Sequence, residues 1–240
     1  MTGTVINIIT VLIGGTLGLL FGARLPERLK KTVVAGMGLF TFAMGVQMFL
    51  ETGNPLIVLG ALLIGALLGE WWRIEDGLQA LGKKLEERFA AKDESTSAGM
   101  DGSSRFVRGF LTSSLLFCVG PMTILGAIQD GLTGEYELLA VKAVLDGFAA
   151  LAFASTLGVG VLFSTIVILS YQGGISLLAG QLNAIVTTPM MDEMTAVGGV
   201  ILMGLAISSL LEIKKISVGN FLPSLAVGPL IVWILSLLGL

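Results

Sequence analysis

Lys142 and Asp146 stand four residues apart inside an apolar run that extends from Leu138 to Leu157. On a helix that spacing puts both side chains on one face, where opposite charges pair. In hydrocarbon the pair costs less than either ion alone, though it still costs several kcal/mol. Ionisable residues inside membrane spans mark ion and solute pathways. In the functional reading Asp146 is a cation or proton ligand beside a polar cavity, and Lys142 is its charge partner. In the structural reading Lys142 snorkels to the outer headgroups from the end of its span while Asp146 neutralises it. Three neighbouring features favour the first. Gln129-Asp130-Gly131 supplies a second carboxylate, Asp130. Gly120-Pro121 interrupts the preceding apolar run, because proline removes a backbone donor and disfavours helix at the residue before it. Tyr171-Gln172-Gly173-Gly174 marks a second interruption further on. Broken backbone at membrane depth survives only when buried in protein or lining a cavity. Gln129, Ser155, Gln172 and the backbone at Gly120 therefore complete a candidate polar lining. The rival view is that these are packing kinks with no solute.

The elements that must position these residues follow from composition. Of 240 residues, 54% are hydrophobic and 13% charged, with a mean hydropathy of +0.92; a soluble domain carries about 25% charge. The apolar runs are long enough to cross about 30 Å of hydrocarbon. They predict an all-α polytopic bundle of eight spans near 4–22, 32–50, 55–72, 106–128, 138–157, 160–180, 195–212 and 217–238. Loop charge supports that number. The stretch 24–31 carries four Lys or Arg, 73–108 seven and 214–215 two, while Glu51–Asn54, Gln129–Glu137 and Gln181–Met194 carry none. Eight spans put every basic loop on one side, the cytoplasmic one, and both termini outside. A seven-span chain would put Lys214 and Lys215 on the wrong side. The basic cluster follows the first apolar run, so that run reads as a retained span and not a cleaved leader.

Three segments result: an N-terminal membrane half at 1–72, a cytoplasmic segment at 73–105, and a C-terminal membrane half at 106–240. In the middle segment Ile74, Leu78, Leu81, Leu85 and Phe89 recur at helical spacing among charges, which predicts an amphipathic helix at the interface. Asp93 to Ser104 reads as a flexible linker and Trp71-Trp72 as an interfacial anchor. A shift of 111 residues lays Lys31, Gly36, Phe42 and Ala43 on Lys142, Gly147, Phe153 and Ala154, a pattern expected of inverted repeats. Asn7, Gln47, Ser155, Ser164, Asn183 and Asn220 read first as interhelical hydrogen bonds. The Gly14, Gly18, Gly22 series and Gly65, Gly69 are small-residue packing faces, and they permit a homodimer. With no histidine and one cysteine, Cys118, disulfide frameworks and histidine metal sites are excluded. No hydrolase, phosphate-loop or dinucleotide motif occurs. The expectation is no enzyme, no cofactor, no metal and no nucleic-acid partner.

Lys142-x-x-x-Asp146-Gly147, Phe153-Ala154-Ser155, Gly158-x-Gly160-Val161 and Ser164 together resemble the central motif of a bacterial membrane family known as domain-of-unknown-function family 554. Gln129-Asp130-Gly131 after Gly126, and the opening Gly3-Thr4-Val5-Ile6-Asn7, are similar to it as well. The resemblance covers nearly the whole chain. It implies a bacterial cytoplasmic-membrane protein and adds weight to Lys142, Asp146 and Asp130. The family carries a loose label as a sodium channel or pump but no established activity, so no substrate follows. The leading expectation is a transporter or channel for a small ion or solute, cation- or proton-coupled, whose partners are that solute and the lipid bilayer. The alternatives are a membrane scaffold or sensor with a structural Lys–Asp pair and, third, a membrane-embedded enzyme.

Overall fold

The computed structural model describes residues 1–22, 26–89 and 105–238, so Arg24 and the linker from Asp93 to Ser104 lie outside the described residues. Within them the chain forms α1 (Thr2–Gly22), α2 (Glu27–Phe49), α3 (Pro55–Trp72), α4 (Ile74–Phe89), α5 (Arg105–Cys118), α6 (Pro121–Leu132), α7 (Glu137–Leu157), α8 (Ser164–Leu177), α9 (Ala179–Asn183), α10 (Thr188–Leu205) and α11 (Ser224–Leu237). Short 3-10 turns at Val159–Phe163 and Val218–Phe221 lead into α8 and α11, and a π-helical turn at Ala206–Leu210 extends α10. Seven of these segments are long and apolar enough to cross a membrane. The pair α5 and α6, bent by 63°, makes an eighth when counted as one broken span.

Two expectations need correction. The sixth span is not interrupted at Tyr171-Gln172-Gly173-Gly174: α8 runs helical through all four. Its break comes at its start, where Gly158 takes φ 85° before the 3-10 turn. Glycines cost a helix only about 1 kcal/mol each, and tertiary packing outweighs that here. The seventh span begins at Thr188 and not near 195, with Thr187 extended and Pro189 in the first helical turn. Proline suits that position because its missing N–H would go unpaired there anyway. Asp192 and Glu193 thereby move from a loop into a helix.

The described residues pack as two compact units, one of 1–37, 79–118 and 122–183, the other of 38–78, 119–121 and 184–240. In the first, polarity is arranged polar in and apolar out. On α7 Lys142, Ala143, Asp146 and Ala150 are buried while Val141, Val144, Leu145 and Phe148 are exposed. On α1 Thr4, Asn7, Val11, Gly14 and Gly18 are buried while Val5, Ile9, Leu12 and Ile13 are exposed. Lipid-facing helices show this pattern because the hydrocarbon is as apolar as the leucine side chains themselves. α1 lies directly on α7. A Cβ at Gly14 would overlap the carbonyl of Gly147, one at Gly18 that of Leu151, and one at Gly22 the backbone of Ser155. Each step of four on α1 matches a step of four on α7 in the same direction, so the two helices are parallel. α5 is buried along most of its length, with Gly109 against the Leu157 carbonyl. Gly82 of α4 is buried on Val107 and Phe110 of α5, so part of the amphipathic helix's inner face rests on protein.

The second unit uses the same device with opposite polarity. Gly65 and Gly69 of α3 meet Ser224 and Asn220, which makes α3 antiparallel to α11, and Gly45 of α2 meets Gly199 and Met203 of α10. Glu193 is buried and accepts from the Thr52 hydroxyl (2.7 Å) and the N–H groups of Gly53 and Asn54 (2.9 Å each), holding the turn that starts α3. Both small-residue faces read from the sequence are thus spent inside the chain and leave nothing to argue for a homodimer. The parallel run of α1 and α7 requires an odd number of crossings between them. α2, α3 and the bent α5–α6 pair supply three, as eight spans demand.

The glycine contacts generate a direct test. Gly14→Ala should destabilise by about 1–3 kcal/mol, the usual cost of overpacking, because backbone and not a flexible side chain stands in the way. Gly36→Ala, where an added Cβ meets nothing within 4 Å, should be neutral or stabilise by up to about 1 kcal/mol through helix propensity. Thermal melting of the two variants in detergent micelles gives the comparison.

Candidate functional site

The parallel packing of α1 on α7 sets the geometry of the site. Asp146 lies nine residues into α7, about 13.5 Å along the axis at 1.5 Å per residue, close to the middle of a hydrocarbon layer about 30 Å thick. Lys142 and Asp146 are 6% and 8% exposed and form a direct ion pair through Lys142 Nζ and Asp146 Oδ2. Lys142 is therefore turned into the protein and does not snorkel to the headgroups. The same Asp146 oxygen accepts from Asn7 Nδ2 of α1 at 3.0 Å. The second proton of that amide goes to Gln172 Oε1 of α8 at 3.1 Å. Gln172 Nε2 in turn donates to Thr4 Oγ1, also at 3.1 Å. Asn7 and Thr4 are fully buried and Gln172 is 1% exposed. The result is one chain of donors and acceptors across three helices, ending on a carboxylate shared with a lysine. At the broken span Thr123 Oγ1 ties the start of α6 back to the Phe117 carbonyl (3.2 Å).

Of the residues singled out in the sequence, Lys142, Asp146 and Gln172 come together. Asp130 does not join them. It is buried on α6 and receives the Gly3 N–H through Oδ2 at 3.0 Å, with Oδ1 3.1 Å from the Met1 amino group, so it secures the first turn of α1. Gln129, its neighbour, is exposed. Ser155 lies nine residues beyond Asp146 on α7, and its hydroxyl donates to the Ala152 carbonyl of its own helix (2.7 Å). Gly120 forms the break after α5 with φ 157°. The sequence reading did not assign Asn7 or Thr4 to the site. Asn7 was visible only as a polar residue within an apolar run, and the Gly3-Thr4-Val5-Ile6-Asn7 opening was the sole hint that both matter. Glu193 gave no signal, because it was read as part of a loop.

The family described as "Protein of unknown function (DUF554)" matches residues 2–233. A Bacillus subtilis (strain 168) protein named "Uncharacterized membrane protein YdfK" is 29% identical over 244 residues, covering 100% of this chain and 99% of its own length. "Uncharacterized protein YqgA" of Escherichia coli (strain K12) is 33% identical over 224 residues, covering 93% of this chain and 92% of its own. No solved structure matches. With the apolar helices, these likenesses make the chain a multi-pass membrane protein that sits in a lipid bilayer.

Breaking a buried pair by removing one partner costs about 3–5 kcal/mol, whereas replacing both members with apolar groups is often neutral. Asp146→Leu, which strands Lys142, should therefore lower stability by that amount. Lys142→Met combined with Asp146→Leu should recover most of it. Thermal unfolding of the three proteins in the same micelles measures the coupling, and equal losses in both variants would contradict the pairing.

Proposed function

The chain belongs to the DUF554 family, and we propose that it is a transporter or channel for a small ion or solute, coupled to a cation or proton, with Asp146 as the ligand. A single observation carries this reading. A carboxylate and an ammonium group meet near the middle of a span and are joined by a buried chain of Asn7, Gln172 and Thr4. A purely structural need would be met more cheaply by apolar packing, and intramembrane charge facing a bundle interior is the usual mark of a solute path. Asn7 donates to the carboxylate and is itself held by Gln172, and Lys142 balances the charge. The protein would lie in the bacterial cytoplasmic membrane with its basic loops inside and both termini outside, following the distribution of Lys and Arg. It would carry out no covalent chemistry, since neither a histidine nor a nucleophile motif is present in the sequence.

Reconstitution into proteoliposomes tests the proposal. Flux of small cations, protons or metabolites should be detectable, and Asp146→Asn should reduce it to the level of empty vesicles; Lys142→Met with Asp146→Asn, which strands no buried charge, should do the same with a smaller loss of melting temperature. Unaltered flux in Asp146→Asn would remove the site from the pathway. The second reading, a scaffold or sensor, is favoured by the way the same hydrogen bonds fasten α7 to α1 and α8. It expects Lys142→Met with Asp146→Leu to retain full function in cells.

A further inference from the structure

We infer that the Asp146 site takes a small monovalent cation, and that the ammonium group of Lys142 is a tethered occupant of that same site. This inference rests on the transport reading and names the class of solute. The site already holds a monovalent cation, because the group bound to Asp146 Oδ2 is a primary ammonium at the end of a flexible chain. Its acceptor capacity exceeds what the protein uses. Asp146 Oδ2 serves both Lys142 and Asn7, while no donor among the described residues meets Asp146 Oδ1. Asn7, fully buried, gives both amide protons away, and its Oδ1 has no partner. That oxygen sits on the amide that already touches Asp146. The surplus is therefore oxygen lone pairs, which suit a compact cation and not an anion.

Other buried carboxylates in the chain are used differently. Glu193 receives three donors across both of its oxygens. Asp130 spends one oxygen on the Gly3 backbone, and the other lies 3.1 Å from the Met1 amino group. Among the described residues only Asp146 accepts from a side-chain amide whose own oxygen is buried without a partner.

Charge decides the valence. Asp146 and Lys142 sum to zero, and a buried site tolerates little net charge. A monovalent cation that takes the place of the Lys142 ammonium at Asp146 leaves one charge matched by one carboxylate when the displaced ammonium reaches water or gives up its proton to it. A divalent ion would need further acidic ligands, and the described residues contain no cluster of three or more His, Cys, Asp or Glu placed to hold a metal. Lys142 then acts as a gatekeeper: the site opens to the travelling cation when its side chain swings off Asp146.

The test uses the purified full chain in detergent, with melting temperature followed during titration with ammonium, potassium or sodium chloride. Choline chloride at equal ionic strength is the control, because its quaternary ammonium is far bulkier than the other three cations. Lys142→Met, which removes the tethered competitor, should gain stability with at least one small cation at a concentration roughly tenfold or more below that needed by the wild type, since a short tether presents its group at millimolar or higher effective concentration. Choline should give no such gain, and adding Asp146→Asn should abolish the response. Lys142→Ala should also be stabilised by propylammonium, which replaces the missing side chain. If Lys142→Met does not accumulate, Lys142→Gln serves for the same comparison. A response identical for choline and the small cations, or one that persists with Asp146→Asn, would overturn the inference. So would flux of another solute that depends on Asp146 with no cation response in any variant, an outcome that leaves the transport reading standing. A selective cation response without flux would support the site and remove the transport reading instead.

Discussion

The contact between the backbones of α1 and α7 is the constraint from which the site follows. Three glycines at intervals of four let the two helices lie closer than any side chain would allow. Because the helices are parallel and in register, that contact carries Asn7 to the level of Asp146 across 139 residues of sequence. With lipid on the outer faces there is no hydrophobic drive to bring helices together, so shape complementarity and buried hydrogen bonds must do it. The glycine ladder supplies the first, and the Asn7–Asp146 and Asn7–Gln172 bonds supply the second. Neither is sufficient without the other. An asparagine amide left unmatched in hydrocarbon would be costly, and a glycine face with nothing opposite it would only weaken the helix.

Much of this was legible in the sequence, and the boundary has a physical origin. Run length and apolarity give spans because hydrocarbon thickness sets a minimum length for any helix that crosses it. The four-residue spacing gives the Lys142–Asp146 pair because that contact is local to one helix. Pro121 marks a true break for the same reason: what it does to the backbone it does to its immediate neighbours. Gly173 and Gly174 misled because a glycine's effect on a helix is small and packing decides it; α8 stays continuous through both. Asn7 and Thr4 could not be assigned because their partners belong to α7 and α8, and nothing in a single chain tells which spans will touch. Glu193 was lost through a boundary error of seven residues at the start of α10.

Two kinds of buried carboxylate emerge, distinguished by how their oxygens are matched. Glu193 faces the N–H groups and hydroxyl of a turn that would otherwise present unpaired donors, and Asp130 meets the first turn of α1. In both, the need belongs to the helix start, which always leaves backbone donors without partners. A carboxylate answers that need with little change in local charge balance, since the helix N-terminus carries partial positive charge. Asp146 answers no such need. It stands in the middle of α7, where the backbone is already satisfied, and it requires Lys142 to be there at all.

That dependence bears on why the pair persists within this fold. Apolar residues of similar volume would pack α7 against α1 without the penalty of two buried charges. The Asn7 proton now given to Asp146 would then lose its partner, while its bond to Gln172 would remain, so Asn7 is coupled to the pair. A group of side chains that is expensive together, lies in the middle of a span, and leaves oxygen capacity unused beside its own cation has the composition of a binding site and not of a joint. At the Glu193 turn donors and acceptors come out even. At Asp146 they do not, and the imbalance favours whatever positive charge can displace the lysine.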